Sequence, residues 1–179
     1  MSSENRGNGV KTRGTGKPGA GRVVALIGVG ALVGVVLVAL LGWMLMPGMM
    51  ITVHESKYAD VEKTCAELKQ AIETAGWSCP AIRNMNNSMA KHDVAFPRQV
   101  RLVELCKADY AHDVLETNSE VSTLMPCAFG VYEGGDGKVY ISGMNMGLMG
   151  KMFGGRIAEV MGGKVAQDEH QILSSVVAQ

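Results

Sequence analysis

The chain has 179 residues, 47% of them hydrophobic, which is enough to bury the core of one ordinary domain and to carry an additional segment. The formal net charge is zero, but residues 1–22 hold five cations and one anion, whereas the rest of the chain holds 12 cations and 16 anions. Because a protein that neutralises a phosphate backbone needs a basic face, the acidic main part of the chain argues against nucleic-acid binding.

Residues 1–22 are rich in glycine, serine, threonine and asparagine and contain almost no large apolar side chain. Such a segment cannot bury enough surface to offset the conformational entropy that it would lose on folding. We therefore predict a disordered, basic N-terminal tail.

The next segment, residues 23–46, is uncharged from Val23 to Met46. A helix needs roughly 20 apolar residues to cross a bilayer core, so the segment predicts a transmembrane helix with Trp43 as an interfacial anchor. A cleaved signal peptide is the main rival, but its apolar region is typically about 7–15 residues long and ends at a small-residue cleavage site, which the sequence lacks before Pro47. We therefore predict an uncleaved anchor.

The charges beside this span predict its orientation. The basic tail precedes the helix, and only Glu55 and Lys57 follow it closely. Because basic segments stay on the cytoplasmic side, we expect a cytoplasmic N-terminus and a periplasmic C-terminal domain on the bacterial inner membrane.

Residues 47–179 are predicted to form an extramembrane domain, which begins where Pro47-Gly48 is expected to end the transmembrane helix. Its apolar residues recur with helical spacing between Tyr58 and Ala75, and the GGDG sequence indicates a β-hairpin. The order β-α-β-β-α-β-β-α predicts an α+β fold, a mainly antiparallel sheet with helices on one face. Strands are predicted at Met49–His54, Ala81–Met85, Val100–Leu105, Ala128–Glu133 and Lys138–Met144, helices at Tyr58–Ala75, about Lys107–Glu116 and Gly163–Val177, and a loop at Asn86–Pro97.

Three segments of this domain are similar to a known family. VELCKADYAHDVL, LMPCAFGVYE and KVYISGMNMGLMGKMFGG, in this order and spacing, resemble the bacterial and archaeal domain-of-unknown-function family 302 from Met49 to about Val177. The resemblance implies a small α+β domain that forms homodimers, and no established reaction. The anchor is an addition to that pattern, and Asn145-Met146 stands where Asn-Pro would be expected.

Four cysteines are candidates for chemistry. Cys106 lies where a strand gives way to a helix, which could favour its thiolate form, and Cys127 follows Pro126 at the entrance of the next strand. Three interpretations of this pair stay open: two buried thiols, a disulfide or redox pair, or ligands of a soft metal or cofactor, Cu(I) or haem. Cys65 lies on the apolar stripe of the first domain helix and is expected to be buried, although a disulfide to Cys79 is an alternative.

The segment GMNMGLMGKMFGG places three thioethers, those of Met146, Met149 and Met152, over roughly a third of the circumference of a helix at about 100° per residue. Thioethers are ligands for Cu(I), but the same spacing also produces an ordinary apolar face. The three glycines within this helix cost about 1 kcal/mol each relative to alanine, so another backbone is expected to pack closely on it. Packing or a dimer interface is the preferred interpretation, a copper site and a small-molecule pocket are the alternatives, and no cofactor is required.

The remaining motifs do not indicate an enzyme. The four histidines lack HxxxH or HxH spacing, and neither a GxSxG motif nor a phosphate-binding loop is present in the sequence. We therefore predict a non-catalytic, membrane-anchored accessory or binding domain. Its expected partners are the bilayer, a second copy of the chain and, in addition, a membrane protein. The alternative is a thiol-redox or soft-metal protein that uses Cys106 and Cys127.

Overall fold

The computed structural model describes residues Ala20–Ala178, which divide between Met44 and Leu45 into two compact units. The first element is helix α1, Ala20–Met50. Most of the predicted tail, residues 1–19, lies outside the described part of the chain, but its last three residues are helical.

Helix α1 contains the predicted span, including Val23, Trp43 and Met46. Its Ile27–Met44 stretch has a mean hydropathy of 2.4, and none of it is buried inside the structure. A core helix of a soluble domain would be mostly buried, so this exposure argues against that assignment. By length and composition this stretch is able to cross a membrane, although N-terminal signal sequences share these properties.

The predicted break at Pro47-Gly48 is wrong, because α1 continues to Met50. A proline removes only one backbone donor, so a helix can continue through it when other bonds compensate. At the end of α1, the Asn145 backbone N–H donates to the Met50 carbonyl at 2.8 Å, and the Asn145 side-chain amide donates to the Met49 carbonyl at 3.0 Å. These bonds satisfy two of the carbonyls that a helix C-terminus leaves free.

The second unit is an α+β domain with a five-stranded antiparallel sheet, as the sequence predicted. The strands are β1 Ile51–Glu55, β2 Ile82–Asn84, β3 Val100–Leu105, β4 Cys127–Glu133 and β5 Val139–Met144, arranged in the order β1-β5-β4-β3-β2. The helices are α2 Val61–Thr74, α3 Met85–Ala90, α4 Ala108–Leu115, α5 Met146–Phe153, α6 Gly155–Glu159 and α7 Ala166–Ser174, with a 3₁₀ helix at Ser119–Leu124 and a π-helix at Val160–Val165.

The element order therefore differs from the prediction by several short helices. The segment predicted as loop, Asn86–Pro97, contains most of α3, which begins where the Asn84 side chain accepts a hydrogen bond from the Asn87 N–H. Such a cap satisfies one of the free donors at a helix start and can fix a single short turn in a polar segment. The last predicted helix is divided between the π-helix and α7.

The core lies between α2 and one face of the sheet. The predicted α2 stripe is confirmed: Cys65, Leu68 and Ile72 are all at most 2% exposed, and the Asp60 side chain caps the helix by accepting from the Lys63 N–H. The helix packs across β3 and β4. Each such aliphatic side chain contributes roughly 1.5–3 kcal/mol by leaving water. The sheet contributes Val103, Leu105, Phe129, Val131 and Ile141 to this core.

The opposite face of the sheet is partly exposed and mixed in character. Val53 pairs with Ser142, which pairs with Gly130, and these residues face away from the buried set. Val53 is 51% exposed, and beside it the Tyr132 and Tyr140 rings stack with centroids 5.8 Å apart. We call the following set the open sheet face: Ile51, Val53, Met144, Ser142, Gly130, Leu102, Tyr132 and Tyr140.

Candidate functional site

A small cavity lies at the end of the sheet where β3 stops and β4 starts. The register pairs Leu105 with Cys127, and the next residue, Cys106, exchanges two backbone hydrogen bonds of 2.9 Å with Ser78. This bridge ties the end of β3 to the segment that follows α2. Cys106 and Cys127 are thereby held at the same end of the sheet.

The cavity has a volume of about 30 Å³ and mostly apolar walls. Helix α4 contributes Val114, and the π-helix contributes Val160 and Val165. A π-helix leaves an irregular turn and occurs frequently at functional sites. Four further lining residues carry sulfur: Cys106, Met125, Cys127 and Met161.

The structure brings the two predicted cysteines to one cavity as free thiols. Burial, followed by the nearby Glu169 and Cys106, raises the pKa of the Cys127 thiol to about 12. Cys127 is therefore protonated at neutral pH, and a protonated thiol is a poor nucleophile. Cys106 lies two residues before the first residue of α4, outside its first turn, and its N–H donates to the Ser78 carbonyl.

Glu169 on α7 is a functional candidate that the sequence did not reveal. Burial alone raises the pKa of its carboxyl to about 8, so the group is largely neutral at pH 7. A neutral carboxyl can donate a hydrogen bond, which an ionised one cannot. The sequence offered no signal, because Asp168-Glu169 reads as an ordinary acidic helix face and the inward residue depends on how α7 packs.

Charged and aromatic groups form the rim of the cavity. The Lys107 ammonium lies 3.2 Å from Asp168 Oδ2, 3.4 Å from the Tyr110 hydroxyl and 4.4 Å from the Tyr110 ring centroid. The Trp77 Nε1–H donates to the same Asp168 oxygen at 2.9 Å. Asp168 therefore joins the indole to the ammonium, and the rim carries balanced charge. No sequence motif marks any of these four residues as a functional candidate, because they come from three separate parts of the chain.

Comparison with known proteins relates this geometry to a family. A family model described as "Domain of unknown function DUF302" matches residues 52–179. The chain belongs to the DUF302 family. The resemblance that the three sequence segments suggested is thus confirmed.

A crystal structure of an uncharacterized conserved DUF302 protein from Bacillus stearothermophilus has a similar fold. The TM-score is 0.63 at 16% sequence identity, over 71% of this chain and 98% of that chain. At this identity the likeness concerns the fold alone. No match is found among curated proteins.

The other two cysteines of the DUF302 domain are also free thiols, so the structure contains no disulfide between Cys65 and Cys79. Cys65 is 2% exposed, as expected, and burial is the largest of the causes that raise its pKa to about 12. Cys79 is half-buried, and its pKa is also raised, chiefly by burial. Both residues lie away from the cavity lining.

The predicted methionine group is divided by the structure. Met146 and Met149 are 4% and 8% exposed, whereas Met152 is 54% exposed, so the three thioethers do not share one enclosure. Their segment forms helix α5, and its tight approach to another backbone is confirmed. A Cβ atom added to Gly150 would lie 2.5 Å from the Gly162 Cα atom, on the π-helix of the same chain.

Hard or borderline metal sites find little support in the described part of the DUF302 chain. Within residues 20–178, no group of three or more histidine, cysteine, aspartate or glutamate side chains could hold a metal ion.

The anchor residue Trp43 is 79% exposed on α1. That exposure is compatible with its predicted position at a membrane interface.

Proposed function

We propose that this protein is a membrane-anchored DUF302 domain that acts without catalysis, as a dimeric accessory or binding module. The observation that carries the proposal is helix α1. Its Ile27–Met44 stretch is apolar on all sides and unburied, and the helix leads into β1 with no intervening residue. A bilayer is the environment in which such a helix is stable. The basic residues before it favour a cytoplasmic N-terminus and a periplasmic domain.

The site chemistry favours a non-catalytic role. Cys127 and Glu169 both carry a proton at neutral pH, because burial raises the pKa of the thiol to about 12 and that of the carboxyl to about 8. Neither group then supplies the thiolate nucleophile or the carboxylate base that acyl transfer or proton abstraction requires. A thiol-redox role for the pair is not favoured, because it would require the thiolate of Cys127.

The open sheet face supports dimerisation. It combines exposed aliphatic side chains with a flat centre, where Gly130 has no side chain and Ser142 a small one. Ile51 and Val53 are 59% and 51% exposed, and Met144 is 37% exposed. Contiguous apolar groups on one face are characteristic of interaction surfaces. A second copy of the chain would use this face, and a membrane protein is a further expected partner.

The anchoring prediction is tested with reporters fused after Gln179. We expect alkaline phosphatase to be active there and green fluorescent protein to be dark, because the first folds in the periplasm and the second in the cytoplasm. The full-length chain should stay in the membrane fraction after alkaline carbonate washing. Fluorescent fusions would contradict the orientation. A shortened, soluble domain would identify α1 as a cleaved signal sequence and contradict the anchor.

Dimerisation is tested with Val53→Asp in the full-length protein in detergent, its mass measured by light scattering. We expect the wild type to be dimeric and the variant monomeric, because a carboxylate placed among the apolar side chains of this interface loses its hydration. Val94→Asp is the matched control, since Val94 is 52% exposed but lies outside the open sheet face. It should leave the dimer intact. A monomeric wild type, or a dimeric Val53→Asp protein, would refute this interface.

A further inference from the structure

Four sulfur-bearing side chains line the small cavity at the end of β3 and the start of β4. Cys106 follows β3, Cys127 begins β4, Met125 precedes β4 and Met161 belongs to the π-helix. The fold thus brings together residues that lie up to 55 positions apart in the sequence, from Cys106 to Met161. The sequence pattern indicated the two cysteines of this set, whereas the thioethers that it indicated belong to another segment.

These four sulfur ligands favour a soft metal ion over a hard or borderline one. Thiolate and thioether sulfurs are soft ligands that suit Cu(I). Zn²⁺ is held by cysteine, histidine and carboxylates, so the two methionines would contribute nothing to a zinc site. Ca²⁺ and Mg²⁺ require oxygen ligands, which the apolar walls do not offer. The cavity volume of about 30 Å³ suits one ion and not an organic ligand.

We propose that this cavity is a binding site for one Cu(I) ion, with Cys106 and Cys127 as thiolate ligands and Met125 and Met161 as thioether ligands. The methionine side chains are unbranched and polarizable, so they can turn toward an ion with little strain. The π-helix gives Met161 its place at the cavity wall, and irregular turns of this kind frequently present functional side chains.

The charges and protons of this site balance without an electron transfer. Copper enters as Cu(I) and remains Cu(I). Each cysteine loses its thiol proton to solvent when its sulfur binds, because a coordinating thiol is deprotonated. One Cu(I) ion and two thiolates carry a net charge of −1. Lys107, which also lines the cavity, is paired with Asp168 at 3.2 Å, so the rim offsets this negative charge only in part.

This inference goes beyond the proposed function and does not depend on it. A soluble or monomeric form of the chain would hold the same four residues around the same cavity, since all of them belong to the second unit. It also differs from the methionine site considered from the sequence, because Met146, Met149 and Met152 are not part of the lining.

The test is an anaerobic Cu(I) titration of the full-length protein in detergent against bathocuproine disulfonate, a coloured chelator that competes for the ion. We expect one Cu(I) per chain to be withheld from the chelator. X-ray absorption of the loaded protein should show sulfur as the nearest neighbour, without nitrogen or oxygen. Ag(I), a soft ion without redox chemistry under these conditions, should compete, and Zn²⁺ should not.

Single substitutions identify the ligands. Cys106→Ser and Cys127→Ser should each weaken Cu(I) binding by at least about tenfold, the lower bound of what even outer-shell changes cost a metal site. Met161→Leu conserves volume and should also weaken binding while the domain stays folded, as checked by circular dichroism. Met149→Leu and Cys65→Ser are the controls, because these residues are buried outside the cavity lining.

Two results would overturn the proposal. The first is a wild-type protein that withholds no Cu(I) from the chelator. The second is stoichiometric binding that persists unchanged when Cys106 and Cys127 are both serine, which would locate the copper elsewhere. Neither result bears on the reporter fusions or on the mass of the Val53→Asp variant, so this proposal and the proposed function fail independently.

Discussion

Replacing Gly150 with alanine is expected to lower the free energy of unfolding by about 3 kcal/mol or more, at the upper end of the range for overpacking. The added Cβ atom would lie 2.5 Å from both the Cα and the N atom of Gly162. These are backbone atoms of the π-helix, so no side-chain rotation relieves the clash. The measurement is urea unfolding of the full-length protein, followed by circular dichroism.

Gly147→Ala provides the matched control on the same helix. A Cβ atom at Gly147 meets only Asn145 Oδ1, at 3.5 Å, which is an ordinary van der Waals distance. Alanine should therefore be neutral there or stabilise α5 by roughly 0.5–1 kcal/mol through its higher helix propensity. Gly162→Ala should be intermediate, because its Cβ atom would lie 3.3 Å from the Gly150 Cα atom. Equal stability of the Gly150 and Gly147 variants would show that the helices are not in backbone contact.

Glu169 is expected to make the stability of the domain depend on pH between about 4.5 and 8. Its pKa is raised by burial from 4.5 to about 8 in the folded state. Below pH 4.5 the carboxyl is protonated in both the folded and the unfolded state. As the pH rises above 4.5, the unfolded state loses this proton first and is stabilised, so the free energy of unfolding falls until about pH 8.

Glu169→Gln removes this dependence, because the amide does not titrate. We expect the variant to exceed the wild type by roughly 2–4 kcal/mol at pH 9 and to differ little from it at pH 4.5. Unfolding curves at a series of pH values measure the difference, which cancels the titration of other groups. Glu116→Gln, at an exposed position, is the control and should follow the wild type. A constant difference across the pH range would contradict a buried, neutral Glu169.

The parts of the fold that the sequence predicted are those in which residues close together in the chain form a regular pattern. Helix α2 shows an apolar residue at every helical repeat, and its buried face is the predicted one. Strands β4 and β5 flank a turn that contains GGDG, with Gly137 at a φ of 78°, where glycine is favoured. In both cases the residues that determine the element are close together in the sequence.

The parts that the sequence did not predict depend on packing between distant segments. The π-helix follows from no local motif, and its position is set by the approach of Gly162 to Gly150. Helix α3 depends on a cap from Asn84 and on Asn86, whose amide nitrogen donates to the Arg98 carbonyl at 2.7 Å. Polar residues of this kind read as loop until their partners are known.

The candidate site was half predictable for the same reason. Cys106 and Cys127 stood at predicted strand ends, and antiparallel pairing of those strands was enough to bring them together. Met161 lines the cavity and Glu169 lies near Cys127, and both belong to the C-terminal helices, whose rotation about their axes is decided by tertiary contacts. Spacing alone indicated Met146, Met149 and Met152 as soft ligands, because helical spacing is visible in a sequence. The meeting of residues from distant segments in one cavity is not visible there.

Asn145 bonds to the end of α1, which has free carbonyl acceptors, and to the start of α5, which has free N–H donors. Its side-chain carbonyl oxygen accepts from the Leu148 N–H at 3.0 Å at the start of α5, while its amide nitrogen donates to Met49 at the end of α1. An aspartate could accept but not donate, and a lysine could donate but not accept. Asparagine does both through two separate atoms, an amide nitrogen and a carbonyl oxygen, so one short side chain bonds to both helix ends at once. The junction between α1 and β1 is thus held by a residue that lies 95 positions after Met50 in the sequence.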